Sequence, residues 1–195
     1  EKEIHIELRL LADVGIIGLP NAGKSTLIAA LSAARPQIAD YPFTTLVPNL
    51  GVVEGDAGTF VVADIPGLIE GAHRGEGLGD RFLKHISRTT LLIHLIDVSN
   101  IREQEPLAEW VAINRELELF DPELAGKHQV IVANKIDLPE GRAKLSLFSQ
   151  TARATGRPFA AVSGLTGEGV EELKVLIRDK LQKGATDSSH ATARV

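Results

Sequence analysis

The sequence predicts an α/β fold of three layers, in which helices cover both faces of a mostly parallel, six-stranded sheet. Short apolar segments alternate with helical ones along most of the 195 residues, an order typical of parallel sheets. One apolar segment, residues 91–96, is nearly continuous, as expected of a strand that is buried on both faces. A glycine-rich turn at residues 18–25 lies directly between an apolar segment and a helical one.

The elements follow from hydrophobic period and from breaker residues. Strands are predicted at residues 14–18, 50–54, 59–64, 91–98, 129–133 and 159–162. Helices are predicted at residues 24–31, 80–89, 105–120, 141–155 and 168–182. Loops are predicted at residues 35–48, which carry three prolines, and at 66–79, which carry five glycines without periodicity.

The ends of the chain differ in composition from the rest. Residues 4–10 alternate apolar and polar side chains, so residues 1–11 are predicted to end a preceding domain or to be a linker strand. Residues 184–195 are small and polar, and a disordered tail is predicted there. The domain itself is expected to cover residues 12–183.

Composition narrows the classes of function. The absence of Cys excludes disulfides, thiolate metal sites and a cysteine nucleophile, and it fits a reducing compartment. A net charge of −5 argues against wrapping nucleic acid over the whole surface. One Trp, one Tyr and six Phe are few for a base-stacking platform. No apolar run reaches the ~18 residues of a membrane span, so no membrane contact is expected.

Residues 18–25 fit the pattern Gly-x4-Gly-Lys-Ser, and they follow a strand and precede a helix as that motif requires. Glycines allow successive backbone N–H groups to surround an anion, and the helix N-terminus adds its dipole. Lys24 would reach the terminal phosphates of a nucleotide and the Ser25 hydroxyl would hold Mg²⁺. The predicted nucleotide contacts in this loop are Gly18, Leu19, Pro20, Asn21, Ala22, Gly23, Lys24 and Ser25.

A second polar segment follows the strand predicted at residues 129–133. The Asp137 carboxylate can accept hydrogen bonds from the N1–H and 2-amino groups of guanine, whereas adenine lacks the amino group and its N1 is an acceptor. A carboxylate facing adenine would stay unpaired, which costs binding free energy. Asn134 suits the acceptor side of the base and the stem of Lys135 can cover the ring. Ile136 lies between Lys135 and Asp137. Alone, this segment is equally compatible with a polar strand end.

A third segment ends the strand predicted at residues 59–64 and contains Asp64, Ile65, Pro66 and Gly67. Asp64 is placed to hold Mg²⁺ through water, and the Gly67 N–H can contact a γ-phosphate. A plain Pro-Gly turn is the alternative. The three segments lie at the carboxyl ends of predicted strands, where nucleotides bind in such sheets, and together they indicate a nucleotide site.

In these motifs the sequence resembles the G domain of P-loop GTPases of the TRAFAC class, and specifically the Obg family. Further matching strings are Tyr-Pro-Phe-Thr-Thr-Leu at 41–46, Pro-Asn-Leu-Gly at 48–51 and Leu-Ile-Glu-Gly-Ala at 68–72. The resemblance covers about residues 8–183. It implies GTP and GDP as ligands, Mg²⁺ as cofactor, a cytoplasmic location and action in assembly of the large ribosomal subunit. The isolated domain is expected to be a monomer.

The resemblance also implies roles for residues that the motifs above do not contain. Thr45 would complete the Mg²⁺ coordination. The segment Ser163, Gly164 and Leu165 would approach the guanine base, although Gly164 stands where an Ala is usual and would loosen the loop. The remaining implied nucleotide contacts are Phe43, Thr44, Leu46 and Val47.

Hydrolysis is the least determined step. Leu68 occupies the position where Ras-type enzymes have the Gln that orients the attacking water, and leucine can neither donate nor accept. Asn21 matches an asparagine that helps bind K⁺ in similar GTPases, although a plain turn residue explains it equally well. A partner could instead supply the group that orients the water. The loop predicted at residues 66–79 could also supply it, through Glu70, His73 or Arg74. Lys24, Thr45, Gly67 and Asn21 are therefore the candidate catalytic residues, and slow intrinsic turnover is expected.

Two alternatives to a switch GTPase remain open. A P-loop ATPase or kinase is disfavoured by Asp137. A nucleotide-gated scaffold with negligible hydrolysis is kept open by Leu68. The basic cluster at residues 73–88 could contact ribosomal RNA, although an ordinary solvated helix face is the simpler interpretation.

Overall fold

A computed structural model describes residues 12–32, 37–38, 49–55, 58–65 and 89–192. Its strands are β1 (Val14–Ile17), β2 (Gln37–Ile38), β3 (Asn49–Val53), β4 (Phe60–Asp64), β5 (Leu91–Asp97), β6 (His128–Asn134) and β7 (Phe159–Ala161). The helices of the described ranges are α1 (Lys24–Leu31), α2 (Ala108–Phe120), α3 (Pro122–Ala125), α4 (Pro139–Ala154) and α5 (Val170–Thr192).

The strands form one sheet in the order β2-β3-β4-β1-β5-β6-β7. Strands β4, β1, β5, β6 and β7 are parallel to one another. At one edge of the sheet, β3 pairs antiparallel with β4 and with β2. The central strand β1 places Val14 opposite Val62 on one side and Leu91 on the other. The mostly parallel α/β sheet and its six predicted strands are confirmed.

The seventh strand, β2, corrects the sequence interpretation. Residues 35–48 were predicted to be loop throughout, but Gln37 and Ile38 pair with Leu50 and Asn49. Two residues are too few for an alternating pattern to be recognised, and the neighbouring prolines favour a loop prediction.

Helices pack on both faces of the sheet, which gives the three predicted layers. On one face, α1 and α5 contribute Leu27, Ile28, Leu173 and Ile177 to a core with side chains of β1, β5 and β6. On the other face, α2 and α4 cover the sheet with Ile113, Leu117, Phe148 and Ala152. Such a double cover explains why every residue of β5 is buried.

The largest difference between predicted and observed helix ends is at the C-terminus of α5. Helix α5 extends to Thr192, past residue 184, where the sequence predicts a disordered tail to begin. Gly184 is buried, and a Cβ atom there would lie 3.1 Å from Cγ2 of Thr90, so the absence of a side chain permits close packing of the helix.

Some predictions fall outside the described residues. These are the strand and domain end at residues 1–11, the mobile loop at 66–79, all but the last residue of the helix predicted at 80–89, and residues 193–195. Within the described ranges, none of the helices combines the length and the apolar character that crossing a bilayer requires.

Candidate nucleotide site

The carboxyl ends of four neighbouring parallel strands meet at one edge of the sheet. There β1 leads into Gly18, β4 ends at Asp64, β5 ends at Asp97 and β6 ends at Asn134. Asp97 and Asn134 are opposite one another in the pairing of β5 with β6. Residues that are far apart in sequence are thus brought together at the edge where open α/β sheets bind ligands.

The glycine-rich loop joins β1 to α1 and bends back over the side chain of Lys24. Lys24 Nζ donates hydrogen bonds to the main-chain oxygens of Gly18 at 3.0 Å and Leu19 at 3.2 Å. Gly23 has a φ of 94°, and a Cβ atom there would lie 2.5 Å from Nδ2 of Asn134. Only glycine fits this position, because both the backbone conformation and the space exclude a side chain.

The N-terminus of α1 is open to an anion. Its N-cap residue Gly23 forms no side-chain cap, and the first turn contains no acidic residue. The first backbone N–H groups of a helix lack partners within the helix, and they carry the positive end of its dipole. A phosphate group at this end would supply the missing acceptors.

Ser25 lies on the first turn of α1 beside the end of β4. Its Oγ is 3.5 Å from Oδ2 of Asp64 and accepts a hydrogen bond from Nδ2 of Asn49 at 3.1 Å. Asp64 is 7% exposed, and its Oδ1 is buried without a hydrogen-bond partner in the described part of the chain. Burial raises the pKa of Asp64, while the charge of Lys24 and hydrogen bonds from Asn49 and Ser25 act in the opposite direction.

Asn134 links the glycine-rich loop to the loop after β7. Its Nδ2 donates to the main-chain oxygen of Ala22 at 2.7 Å, and its Oδ1 accepts from the N–H of Gly164 at 3.0 Å. The residue is 3% exposed. The sequence placed Asn134 against the base itself; the structure shows both ends of its amide engaged within the protein.

Lys135 is fixed by an ion pair rather than left free over the site. Its Nζ lies 2.7 Å from Oδ2 of Asp97, and its backbone φ is 64°. Asp97 also accepts hydrogen bonds from the N–H of Ser99 and the side chain of Asn100. The ammonium group is therefore anchored at the end of β5, which leaves only the aliphatic stem of Lys135 to cover a base.

Asp137 differs from the two polar residues before it. Its side chain is half-buried and makes no hydrogen bond or ion pair with any described residue. Ser163, on the loop that faces it, is fully buried, and its Oγ accepts from the N–H of Thr166. Ser163 thus shapes the loop while the Asp137 carboxylate keeps its acceptor capacity for an external donor.

Gly164 is packed more closely than the sequence interpretation expected. A Cβ atom at this position would lie 3.2 Å from the backbone nitrogen of Leu27 on α1. The substitution of Ala by Gly, expected to loosen the loop, brings it into close contact with that helix. The next residue, Leu165, is 78% exposed.

Two predicted contacts have their side chains in the core. Ile65 and Ile136 are 1% and 4% exposed and pack beneath opposite ends of the site. Ala22 is also buried. These three residues have only backbone groups to offer a ligand. Outside the described ranges lie Phe43, Thr44, Thr45, Leu46, Val47, Pro66 and Gly67, whose roles stay predictions.

Sequence reasoning missed Asn49, Asp97 and Glu109. Asp97 ends an apolar strand, which is the same signal that identified Asp64. Asn49 begins β3, and nothing local pointed to its contact with Ser25. Glu109 accepts a hydrogen bond from the N–H of Leu19 at 3.2 Å, a contact that joins residues 90 positions apart.

A Gly-x4-Gly-Lys-Ser loop at the carboxyl edge of this sheet, with Asp64 at the end of β4 and Asp137 just after β6, defines a P-loop GTPase G domain. The family model described as "50S ribosome-binding GTPase" matches residues 13–135. The chain belongs to this family and, within it, to the Obg GTPases.

Curated relatives named GTPase Obg are similar over most of the chain. The protein from Aquifex aeolicus is 59% identical over 175 residues, covering 89% of this chain and 51% of the relative. The protein from Syntrophotalea carbinolica is 55% identical over 184 residues, covering 94% of this chain and 52% of the relative. The chain therefore spans about half the length of these relatives.

Solved structures support the fold alone. The G domain of the T. maritima FeoB iron transporter superposes with a TM-score of 0.62 at 24% identity, covering 90% of this chain and 99% of that one. The GMPPNP form of the cytosolic domain of the same transporter gives a TM-score of 0.61, covering 88% of this chain and 64% of that one.

Proposed function

We propose that this chain is a Mg²⁺-dependent switch that binds and hydrolyses GTP and acts in the cytoplasm in assembly of the large ribosomal subunit. The observation that carries the proposal is the glycine-rich loop. It combines an uncapped helix N-terminus with Lys24 held by its own loop carbonyls. Such a loop presents N–H groups and one ammonium group to phosphate oxygens.

Guanine selectivity is assigned to Asp137. Its carboxylate makes no hydrogen bond or ion pair with the described residues, and guanine offers it two donors. The hydrogen bonds of Asn134 with Ala22 and Gly164 connect the glycine-rich loop, which would hold the phosphates, to the loop after β7, which would hold the base. Competition between GTP and ATP for the purified chain tests this assignment, and equal affinities would favour an ATPase or kinase.

Mg²⁺ fits the oxygen groups beside the loop. The Ser25 hydroxyl and the partly unpartnered, buried Asp64 carboxylate are hard oxygen donors of the kind this cation prefers. We assign Ser25 to direct contact, Asp64 to contact through water and Thr45 to the remaining position. When bound, the ion would offset phosphate charge. Chelation by EDTA should weaken GTP binding more than GDP binding.

Catalysis in this proposal rests on Lys24, Thr45, Gly67 and Asn21. Asn21 is exposed in the left-handed region at φ 63°, and its side chain has no hydrogen bond within the described ranges. A K⁺ ion could therefore use its amide oxygen, and asparagine also tolerates this backbone conformation as an ordinary turn residue. Turnover in K⁺ and in Na⁺ distinguishes these roles, because equal rates would remove the K⁺ contribution.

The ribosomal role is supported by the family description and by the names of the relatives. Single-turnover GTP hydrolysis with and without large ribosomal subunits tests it. Acceleration by the subunits supports a switch GTPase. Binding of GTP without hydrolysis in either condition would favour the alternative of a nucleotide-gated scaffold, which Leu68 keeps open.

A further inference from the structure

Glu109 joins helix α2 to the glycine-rich loop. It lies in the first turn of that helix, where a carboxylate is favoured by the helix dipole. Its Oε1 accepts the hydrogen bond from the N–H of Leu19 at 3.2 Å. Leu19 is the second residue of the phosphate-binding motif, so this bond reaches the loop from outside the elements that flank it.

The same stretch of loop is held from the other side by Lys24. The carbonyl oxygens of Gly18 and Leu19 both accept from Lys24 Nζ. The peptide group that joins Gly18 to Leu19 is therefore fixed at its N–H by Glu109 and at its oxygen by Lys24. Rotation of this peptide group would break contacts on both sides, because N–H and C=O of one peptide plane turn together.

The surroundings of Glu109 are those of a positioned group rather than a surface carboxylate. Burial raises the pKa of Glu109, the bond from Leu19 and the charge of Lys24 oppose the rise, and Asp97 adds to it. A desolvated carboxylate is retained at such a place only where its hydrogen bond compensates for part of the lost hydration.

We propose that Glu109 is a positioning residue of the nucleotide site, which fixes the Gly18–Leu19 backbone so that Lys24 is held ready for the phosphates of GDP and GTP. The inference rests on the proposed function and deepens it. Glu109 acts through the loop and through Lys24, and it needs no contact with the nucleotide.

The test measures the Kd for GDP in the presence of Mg²⁺ with substitutions at this position. Glu109→Ala should weaken GDP binding about tenfold, since the hydrogen bond from the Leu19 N–H to a charged acceptor is lost. Glu109→Gln should stay within about threefold of the unsubstituted chain, because its amide oxygen can accept the same N–H. Glu118→Ala is the matched control, since Glu118 is exposed on the same helix, and it should leave the Kd unchanged.

A double-mutant cycle with Lys24→Ala distinguishes positioning of Lys24 from a merely structural role of Glu109. If Glu109 acts through Lys24, Glu109→Ala should change the Kd less than twofold in the Lys24→Ala background. A full tenfold effect in that background overturns the inference, and so does a Gln variant as weak as the Ala variant. Thermal unfolding is measured on each protein. If Glu109→Ala fails to fold, Glu109→Asp replaces it in the test. GDP binding by Glu109→Asp as tight as that of the unsubstituted chain overturns the inference.

Failure of the proposed function and failure of the positioning role give different results. If the unsubstituted chain does not bind GDP, the proposed function is wrong and this inference falls with it. If the unsubstituted chain binds GDP and folded Glu109→Ala binds it equally well, only the positioning role is wrong.

Discussion

Nδ2 of Asn134 donates a hydrogen bond to the main-chain oxygen of Ala22 across 2.7 Å and 112 residues of sequence. The other end of the same amide accepts from Gly164. One buried side chain thus connects the loop that would hold phosphates with the loop that would hold the base. Its removal should affect the architecture of the site as well as its affinity for nucleotide.

Asn134→Ala should lower the free energy of unfolding by about 2–4 kcal/mol, because it leaves a buried carbonyl and a buried N–H unpaired. Urea denaturation of the nucleotide-free chain measures this directly. Gln150→Ala removes an exposed amide from α4 and should cost less than about 0.5 kcal/mol. A comparable cost for both variants would show that Asn134 is not the link between the loops.

Local patterns predicted the parts of the fold whose causes are local. The Gly-x4-Gly-Lys-Ser loop between strand and helix was recognised because spacing and chain order define it. The six main strands followed from apolar runs, and β5 was the clearest because it is buried on both faces. The edge strand β2 was missed because two residues carry no period.

The contacts that tie the site together could not be predicted, because they depend on which distant residues the topology brings together. Asn134 was identified as a site residue, but its partners Ala22 and Gly164 emerge only when β6 lies beside β5 and α1 packs against the loop after β7. Glu109 lies on an ordinary amphipathic helix, and no local signal distinguishes it from Glu118. The close approach of Gly184 to Thr90 likewise joins residues far apart in sequence.

Asp97→Ala should be among the more destabilising substitutions at this edge. It leaves the half-buried Lys135 ammonium without its carboxylate and removes the acceptor of the Ser99 N–H. Loss of one partner of such a pair costs about 2–4 kcal/mol. Urea denaturation measures the change, and Asp97→Asn should restore part of it because an amide oxygen still accepts from Ser99.

The exposed ion pair between Asp179 and Lys183 on α5 provides the comparison. Asp179→Ala should change the unfolding free energy much less, since solvent screens exposed charges. If the two alanine variants lose the same stability, the pair between Lys135 and Asp97 has no special structural role.

Asp137→Asn should reverse the preference of the site for the base. The amide loses one acceptor and gains a donor, so two hydrogen bonds to guanine are no longer possible. A loss of about 3 kcal/mol, or about a hundredfold in the Kd for GTP, is expected. Xanthine carries an oxygen where guanine carries the 2-amino group, so XTP should bind the variant more tightly than GTP does. Unchanged GTP binding would remove Asp137 from the base site.

The stability of the Asp137→Asn variant provides the control for its binding. The Asp137 side chain makes no hydrogen bond or ion pair with the described residues, so its unfolding midpoint in urea should match that of the unsubstituted chain. A large shift of the midpoint would mean that the carboxylate has a structural partner, and loss of affinity could then not be attributed to the base.

His94 should make the fold sensitive to acid. It lies within β5 and is fully buried, with neither ring nitrogen hydrogen-bonded to a described residue. Burial lowers the pKa of His94 from 6.5 to about 3, and the charge of Arg157 acts in the same direction. The unfolded chain therefore binds a proton at His94 below pH 6.5 that the folded chain does not bind until about pH 3.

Because the unfolded state holds more protons in that window, the free energy of unfolding should fall as the pH drops from about 6.5 towards 3. The contribution of His94 to the slope reaches about 1.4 kcal/mol per pH unit. His94→Leu should flatten this limb and be at least as stable at pH 7.5, since it removes two unpaired polar atoms. Urea denaturation at intervals from pH 7.5 to 4.5 measures the difference between the two proteins. The exposed His128→Gln provides the control, and an equal acid limb for His94→Leu and the unsubstituted chain would show that His94 does not cause the sensitivity.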